Sequence, residues 1–365
     1  MAEGARNIGV HGLRGVAALS VVLFHWHQIF PATSNAIALK FPSDSIANPA
    51  VYLGFGWLGV PLFFILSGYI LGGQVLSQPL ATRVVMRFWR RRVTRIYPAV
   101  WLHLIFLLLA GLCIPRLVDP QMWDSLFWQF TLWVNMPPNM QAPISNVMWT
   151  LPIELSFYLV LPFIGQLSRR IDWRLLLLSG LAITLGWRTF VMVWQAVPHY
   201  TAVLPWLDLL PGTLFTFMVG YSLNFLPDNI SRKSALAGLL VSTALFLGLL
   251  QWQLFFNHVY WTGHWILVIW PACIAATLGV MVFCCSRPTA RIVWLSAPTM
   301  IWLGNISFGI YLWHYPIMRG MFYLFKDEWT SVSMSALALP IALLLTLPIA
   351  TLSYRLVERP LMGWR

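Results

Sequence analysis

Arg14 and His25 stand eleven residues apart in "GLRGVAALSVVLFHWHQIF" (12–30), a stretch otherwise dominated by apolar residues. On an α-helix eleven steps of about 100° return to within about 20° of one face and climb about 16 Å. One stripe therefore carries a guanidinium near one end and an imidazole far along it. An imidazole exchanges protons near neutral pH, and an ionisable group inside a membrane segment is a functional candidate by default. His27 falls about 200° away on the same wheel and suits an interfacial or structural role. Two further constellations join the first. "NVMWTLPIELSFYLVLP" (146–162) carries Glu154 with Tyr158 one turn on; "GNISFGIYLWHYPIM" (304–318) places Ser307, Tyr311 and His314 at i, i+4 and i+7, on one face. A carboxylate at such depth must be paired, protonated or facing water. For Glu154, pairing with a buried arginine and substrate or proton handling both fit; for Ser307 and Tyr311, helix packing and a polar lining both fit.

A fourth stretch is basic. "RVVMRFWRRRVTRIYPAVW" (83–101) holds six arginines within thirteen residues. Arginine presents a rigid fork of donors matched to phosphate oxygens, so a cytoplasmic site for a phosphorylated cofactor or lipid fits, as does membrane anchoring. Together the residues describe a cytoplasmic anion site, a polar stripe through a membrane and a base in its outer half. Acyl transfer from a cytoplasmic donor to an outer-side hydroxyl fits this set. A proton-coupled transporter, or an exporter of an acylated or anionic small molecule, fits too, although no internal repeat between the halves is evident.

The elements that position these residues are membrane helices. Of 365 residues, 59% are hydrophobic and 9% charged, far from the balance of a water-soluble domain. The predicted architecture is an all-α polytopic membrane protein with about ten spans, at 8–30, 51–76, 96–114, 147–164, 174–194, 209–226, 235–254, 261–285, 300–325 and 333–354. The first shows no signal-peptide cleavage pattern and is expected to remain as a span. The segment 122–136 is shorter than the roughly 20 residues a crossing requires, and is predicted to be a re-entrant or interfacial helix. With both termini cytoplasmic, 17 of the 23 cations fall inside and only Lys40, Arg116 and Lys326 outside; a crossing at 122–136 would invert every later loop. Loop orientation and anionic lipid headgroups account for most of the net charge of +12. The basic residues match no nucleic-acid recognition motif. Cys113, Cys273, Cys284 and Cys285 have neither zinc-ligand nor disulfide spacing, and no metal is expected. The 24 glycines suit close helix packing rather than phosphate loops.

Six blocks in order, "GLRGVAALSVVLFH", "GVPLFFILSGYIL", "RRRVTRIYPAVW", "WTLPIELSFYLVLP", "ISFGIYLWHYPI" and "RLVERP", resemble the signature blocks of the acyltransferase-3 family of membrane O-acyltransferases. The resemblance runs from about residue 7 to 361 and implies one membrane domain over 1–365 that moves an acyl group, usually acetyl from acetyl-CoA, to a hydroxyl of a cell-surface glycan or its lipid-linked precursor, in the bacterial cytoplasmic membrane. A succinyl donor acting on a periplasmic glucan is a variant of the same chemistry. The resemblance implies His25 as catalytic base or transient acyl carrier, and Arg14, Arg92 and Arg95 as donor-binding residues, Arg92 and Arg95 on the CoA phosphates. It implies Glu154 orienting or charging the site, Trp149 and Tyr158 beside it, Ser307 and Tyr311 as a polar lining for donor or acceptor, and His314 on the same face as a catalytic residue. His11 stands where many members have an acidic residue. No fused extracytoplasmic hydrolase-like domain is expected.

Overall fold

In the computed structural model, residues 2–79, 81–114, 120–195, 206–260, 264–287, 289 and 292–362 are described. Arg116, Arg291 and Arg365, which enter the charge topology above, lie outside them. Eleven helices carry the fold: α1 (Ala2–Ile29), α2 (Gly59–Leu76), α3 (Thr82–Cys113), α4 (Thr150–Leu167), α5 (Trp173–Gln195), α6 (Leu210–Ser222), α7 (Arg232–Phe255), α8 (Ile266–Ser286), α9 (Pro298–Asn305), α10 (Ser307–Leu324) and α11 (Val332–Ser353). Shorter helical turns join them, and the described residues contain no strand. Serine caps mark two starts: Ser231 accepts from the Ser234 amide ahead of α7, and Ser331 from the Met334 amide ahead of α11.

Seven helices are long and apolar enough to cross a membrane, or eight if α1 and the bent helix that follows it form one span. Leu236, Leu240, Val241 and Leu245 of α7 are exposed, a disposition that suits hydrocarbon and not water. The expected span at 96–114 begins much earlier: α3 is one helix of 32 residues, about 48 Å long, so the arginine-rich stretch continues it as a rod longer than the hydrocarbon is thick. The expected span at 300–325 is instead two helices, α9 and α10, interrupted at Ile306. Residues 122–136 hold only a short helix, Leu126–Phe130, preceded by the 3-10 turn Pro120–Ser125.

The chain resolves into two compact units. The first comprises residues up to Arg14, 60–85 and 153–304; the second comprises 15–59, 86–152 and 305–365. In the first, α5 packs on α6 and α7 on α8. Gly68 and Gly220 let α2 and α6 approach closely: a Cβ at Gly68 would lie 2.1 Å from the Phe217 carbonyl oxygen, and one at Gly220 1.9 Å from that of Ile65. A buried ion pair ties the unit together. Arg188 of α5 bonds Asp208 at 3.0 Å and donates to the carbonyls of Leu207, Gly212 and Leu267.

Removing one partner of such a pair leaves a charge without compensation, at a cost of about 3–5 kcal/mol. Arg188→Met should therefore lower the thermal unfolding temperature of the detergent-solubilised protein sharply, and Arg188→Met combined with Asp208→Leu should recover part of the loss. An unchanged unfolding temperature in Arg188→Met would contradict a structural role for the pair.

In the second unit, α10 packs along α11. After α1 the chain turns by 91° into a short helix, Ala32–Ala38. Ser335 of α11 clamps this corner: its hydroxyl donates to the Phe30 carbonyl at 2.6 Å and accepts from the Thr33 amide at 3.1 Å, while the Trp26 indole donates to the Ser335 carbonyl at 2.8 Å. The end of α1 that carries His25 is thereby fixed in depth and rotation.

Candidate active site

His25 and His314 meet in the second unit. His25 Nδ1 lies 3.0 Å from His314 Nε2 and 3.1 Å from the Val21 carbonyl oxygen, and His314 Nδ1 lies 2.8 Å from the Ile310 carbonyl oxygen. Both rings are buried, His314 completely. These contacts fix the protons. A carbonyl only accepts, so His314 Nδ1 carries hydrogen; in neutral His314 this leaves Nε2 as an acceptor, and the proton between the rings belongs to His25 Nδ1. Neutral His25 then has its lone pair on Nε2, which bonds to no described residue. Such an arrangement can serve as a base whose tautomer is set from behind by a second ring. Tyr315 stands edge-on to His25 at 4.9 Å and limits its rotation.

Tyr311, one turn before His314, is buried and donates its hydroxyl to the Val147 carbonyl at 2.7 Å. Thr150, at the start of α4, therefore donates to the Tyr311 oxygen at 2.9 Å. Ser307 is fully buried at the first residue of α10. The Trp149 carbonyl accepts from the Asn135 amide group at 2.8 Å, which anchors the segment that follows Leu126–Phe130 to the entry of α4. The spacing of Ser307, Tyr311 and His314 thus places one inward face, but the three do different work: Tyr311 joins α10 to the approach to α4, and His314 reaches His25.

Glu154 and Tyr158 belong to the first unit, where they form their own cluster. Ser67 of α2 donates to Glu154 Oε1 at 2.6 Å, and the Tyr158 hydroxyl donates to the same oxygen. The half-buried carboxylate has no arginine partner among the described residues; two hydroxyls hold it instead. They occupy Oε1, leaving Oε2 to accept a further donor. Arg14, also in this unit, is half-buried on α1. His27 bonds the Ser34 hydroxyl at 2.6 Å, which itself donates to the Pro31 carbonyl, a structural tie at the corner after α1.

The six arginines at the start of α3 separate by exposure. Arg83, Arg87, Arg90 and Arg91 are exposed, Arg95 is half-buried and Arg92 is buried, its guanidinium 5.7 Å from the Phe88 ring centre. The exposed four suit membrane anchoring. Arg92 faces inward on the helix that also carries His103, a fully buried histidine.

Sequence reasoning did not single out Ser67, Thr150 or His103. Ser67 and Thr150 lie inside recognisable blocks, but one hydroxyl among apolar residues gives no periodic signal. His103 does carry a signal, since it follows Arg92 at the spacing that separates His25 from Arg14.

The family model described as an acyltransferase domain matches residues 7–355, nearly the whole chain, and the protein belongs to this acyltransferase family. Among its curated relatives, the "Peptidoglycan O-acetyltransferase OatA" of Listeria monocytogenes is 28% identical, over 87% of this chain and 54% of that protein. The "O-acetyltransferase OatA" of Staphylococcus aureus is 25% identical, over 97% of this chain and 57% of that protein. The "Acyltransferase MdmB" of Streptomyces mycarofaciens is 26% identical, over 96% of this chain and 90% of that protein. The chain thus spans little more than half the length of the two OatA proteins. No solved structure matches it.

Proposed function

We propose that this protein is a membrane O-acyltransferase that moves an acyl group, acetyl in the first instance, from cytoplasmic acyl-CoA to a hydroxyl of a cell-surface or lipid-linked glycan on the outer side of the bacterial cytoplasmic membrane. The observation that carries this reading is the free Nε2 of His25, made a base by the bond from Nδ1 to His314. Family membership supports acyl transfer, and the relatives named as O-acetyltransferases support a glycan hydroxyl as acceptor. The topology that accompanies it has ten spans with both termini cytoplasmic, membrane lipid around the exposed apolar faces, and the short helix Leu126–Phe130 on the outer side.

In the reaction, His25 Nε2 takes the proton of the acceptor hydroxyl as its oxygen attacks the thioester carbonyl carbon. The C–S bond breaks as the new ester C–O bond completes, and the departing CoA thiolate recovers the proton from His25. His314 Nε2 stabilises the doubly protonated His25 ring through the Nδ1–H bond and holds its orientation; it acts as a positioning residue. Arg92, turned inward, and Arg95 beside it hold the CoA phosphates. Arg14 lies on the stripe of α1 that ends at His25, about 16 Å along the helix, a distance an extended pantetheine arm can follow. Glu154, with one oxygen fixed by Ser67 and Tyr158, is assigned an orienting or charging role, and Trp149, Ser307 and Tyr311 line the site of His25.

Label from radioactive acetyl-CoA should reach envelope glycans in membranes containing this protein and not in membranes lacking it; absence of label in both would remove acetyl-CoA as donor. Arg92→Ala should raise the KM for acetyl-CoA by roughly ten- to a hundredfold, the scale of one charge-assisted hydrogen bond, with a smaller change in kcat. Arg87→Ala, at an exposed position, should leave both constants unchanged. Equal KM values in Arg92→Ala and wild type would leave the arginines with anchoring alone.

A further inference from the structure

The inward face of α3 repeats the geometry of α1. Arg92, Ile96, Ala99, His103 and Leu107 form its buried stripe, and Arg92 and His103 are eleven residues apart, on one face and separated by about 16 Å. His103 is completely buried, yet neither Nδ1 nor Nε2 has a hydrogen-bond partner among the described residues. The contrast with its neighbours is sharp: His25 and His314 each bond the carbonyl four residues back in their own helix, whereas His103 leaves that of Ala99 alone. Its ring meets the edge of Trp313 at 5.0 Å, and the Trp313 indole nitrogen is also buried without a partner. Trp313 immediately precedes His314. Three polar ring atoms, offering two donors and one acceptor in neutral form, thus gather at the residue that precedes the partner of the proposed base. Folded proteins rarely leave such atoms unpaired, because water is given up with nothing in return.

We propose that His103 and Trp313 bind the extended arm of the acyl donor, pairing with its amide and thioester carbonyl groups. This rests on acyl-CoA being the donor. The pantetheine arm is uncharged, carries both donors and acceptors, and leads away from phosphates; the stripe offers a buried arginine at one end and neutral polar rings about 16 Å further on. A second phosphate site does not fit His103 and Trp313, whose rings offer no fixed positive charge, and His103 shares its stripe with the arginine assigned to the donor, which favours the arm over the acceptor sugar.

The test is the binding of acetyl-CoA and of adenosine bisphosphate, the armless end of the donor, to the purified full-length protein in detergent. His103→Phe and Trp313→Phe should each weaken acetyl-CoA binding by about tenfold and leave the bisphosphate unchanged, whereas Arg92→Ala should weaken both. Unchanged acetyl-CoA affinity in both ring variants overturns the assignment while leaving the donor in place. Equal loss of both ligands, with a lowered unfolding temperature, makes His103 a packing residue; if only His103→Phe unfolds, Trp313→Phe decides. Wild-type protein that binds neither ligand removes the acyl-CoA reading, and this inference with it.

Discussion

Alanine at His25 reduces acyl transfer by roughly a thousandfold, the contribution of a positioned general base, while the protein accumulates and unfolds as the wild type does. The expectation follows from what the ring does and does not hold together. His25 makes two contacts through Nδ1, to Val21 in its own helix and to His314. Neither clamps α1: that task belongs to Trp26, Phe30 and Thr33 on Ser335. Loss of the imidazole should therefore spare the fold and remove only the lone pair at Nε2. Initial rates with purified protein, set beside the unfolding temperature, separate the two effects. Full activity in a folded His25→Ala protein would take the base away from this position.

The second large effect lies at His314, and its signature is rescue. In His314→Ala only the Val21 carbonyl is left to hold the hydrogen on His25 Nδ1, and the doubly protonated ring loses one of its two acceptors. A fall in kcat of about a hundredfold is expected, with little change in the KM for the donor. Glutamine places a carbonyl oxygen near the position of Nε2 and accepts the same bond, so His314→Gln should recover much of the loss. A residue important only for filling space would show no such rescue in kcat, because alanine and glutamine both replace a ring that is completely buried. Equal kcat in the alanine and glutamine variants would assign His314 to packing.

Much of this site was legible because its residues sit on helices whose period is known. The stripe from Arg14 to His25 and the common face of Ser307, Tyr311 and His314 are consequences of 3.6 residues per turn, and helices cover both stretches. The bond between His25 and His314 was not legible: 289 residues separate them, and no local pattern says which two faces will meet. Glu154 shows another limit. Its depth demanded a partner, but the choice of Ser67 and Tyr158 over an arginine depends on how α2 packs against α4. The basic stretch gave an average rather than a site, since charge counting treats six arginines alike, and only the inward turn of α3 distinguishes Arg92. The extent of α3 was missed for a related reason: hydropathy ends where the arginines begin, whereas the backbone hydrogen bonds of the helix continue through them.

The central claim is that an acyl group from a cytoplasmic donor reaches an outer hydroxyl through His25. Proteoliposomes with acetyl-CoA carrying a labelled acetyl group on the face of the Arg92 end of α3, and a glycan acceptor only on the other, test it directly. Labelled acceptor should form with the wild-type protein and not with His25→Ala. Equal label with both proteins, or none with either, would contradict it.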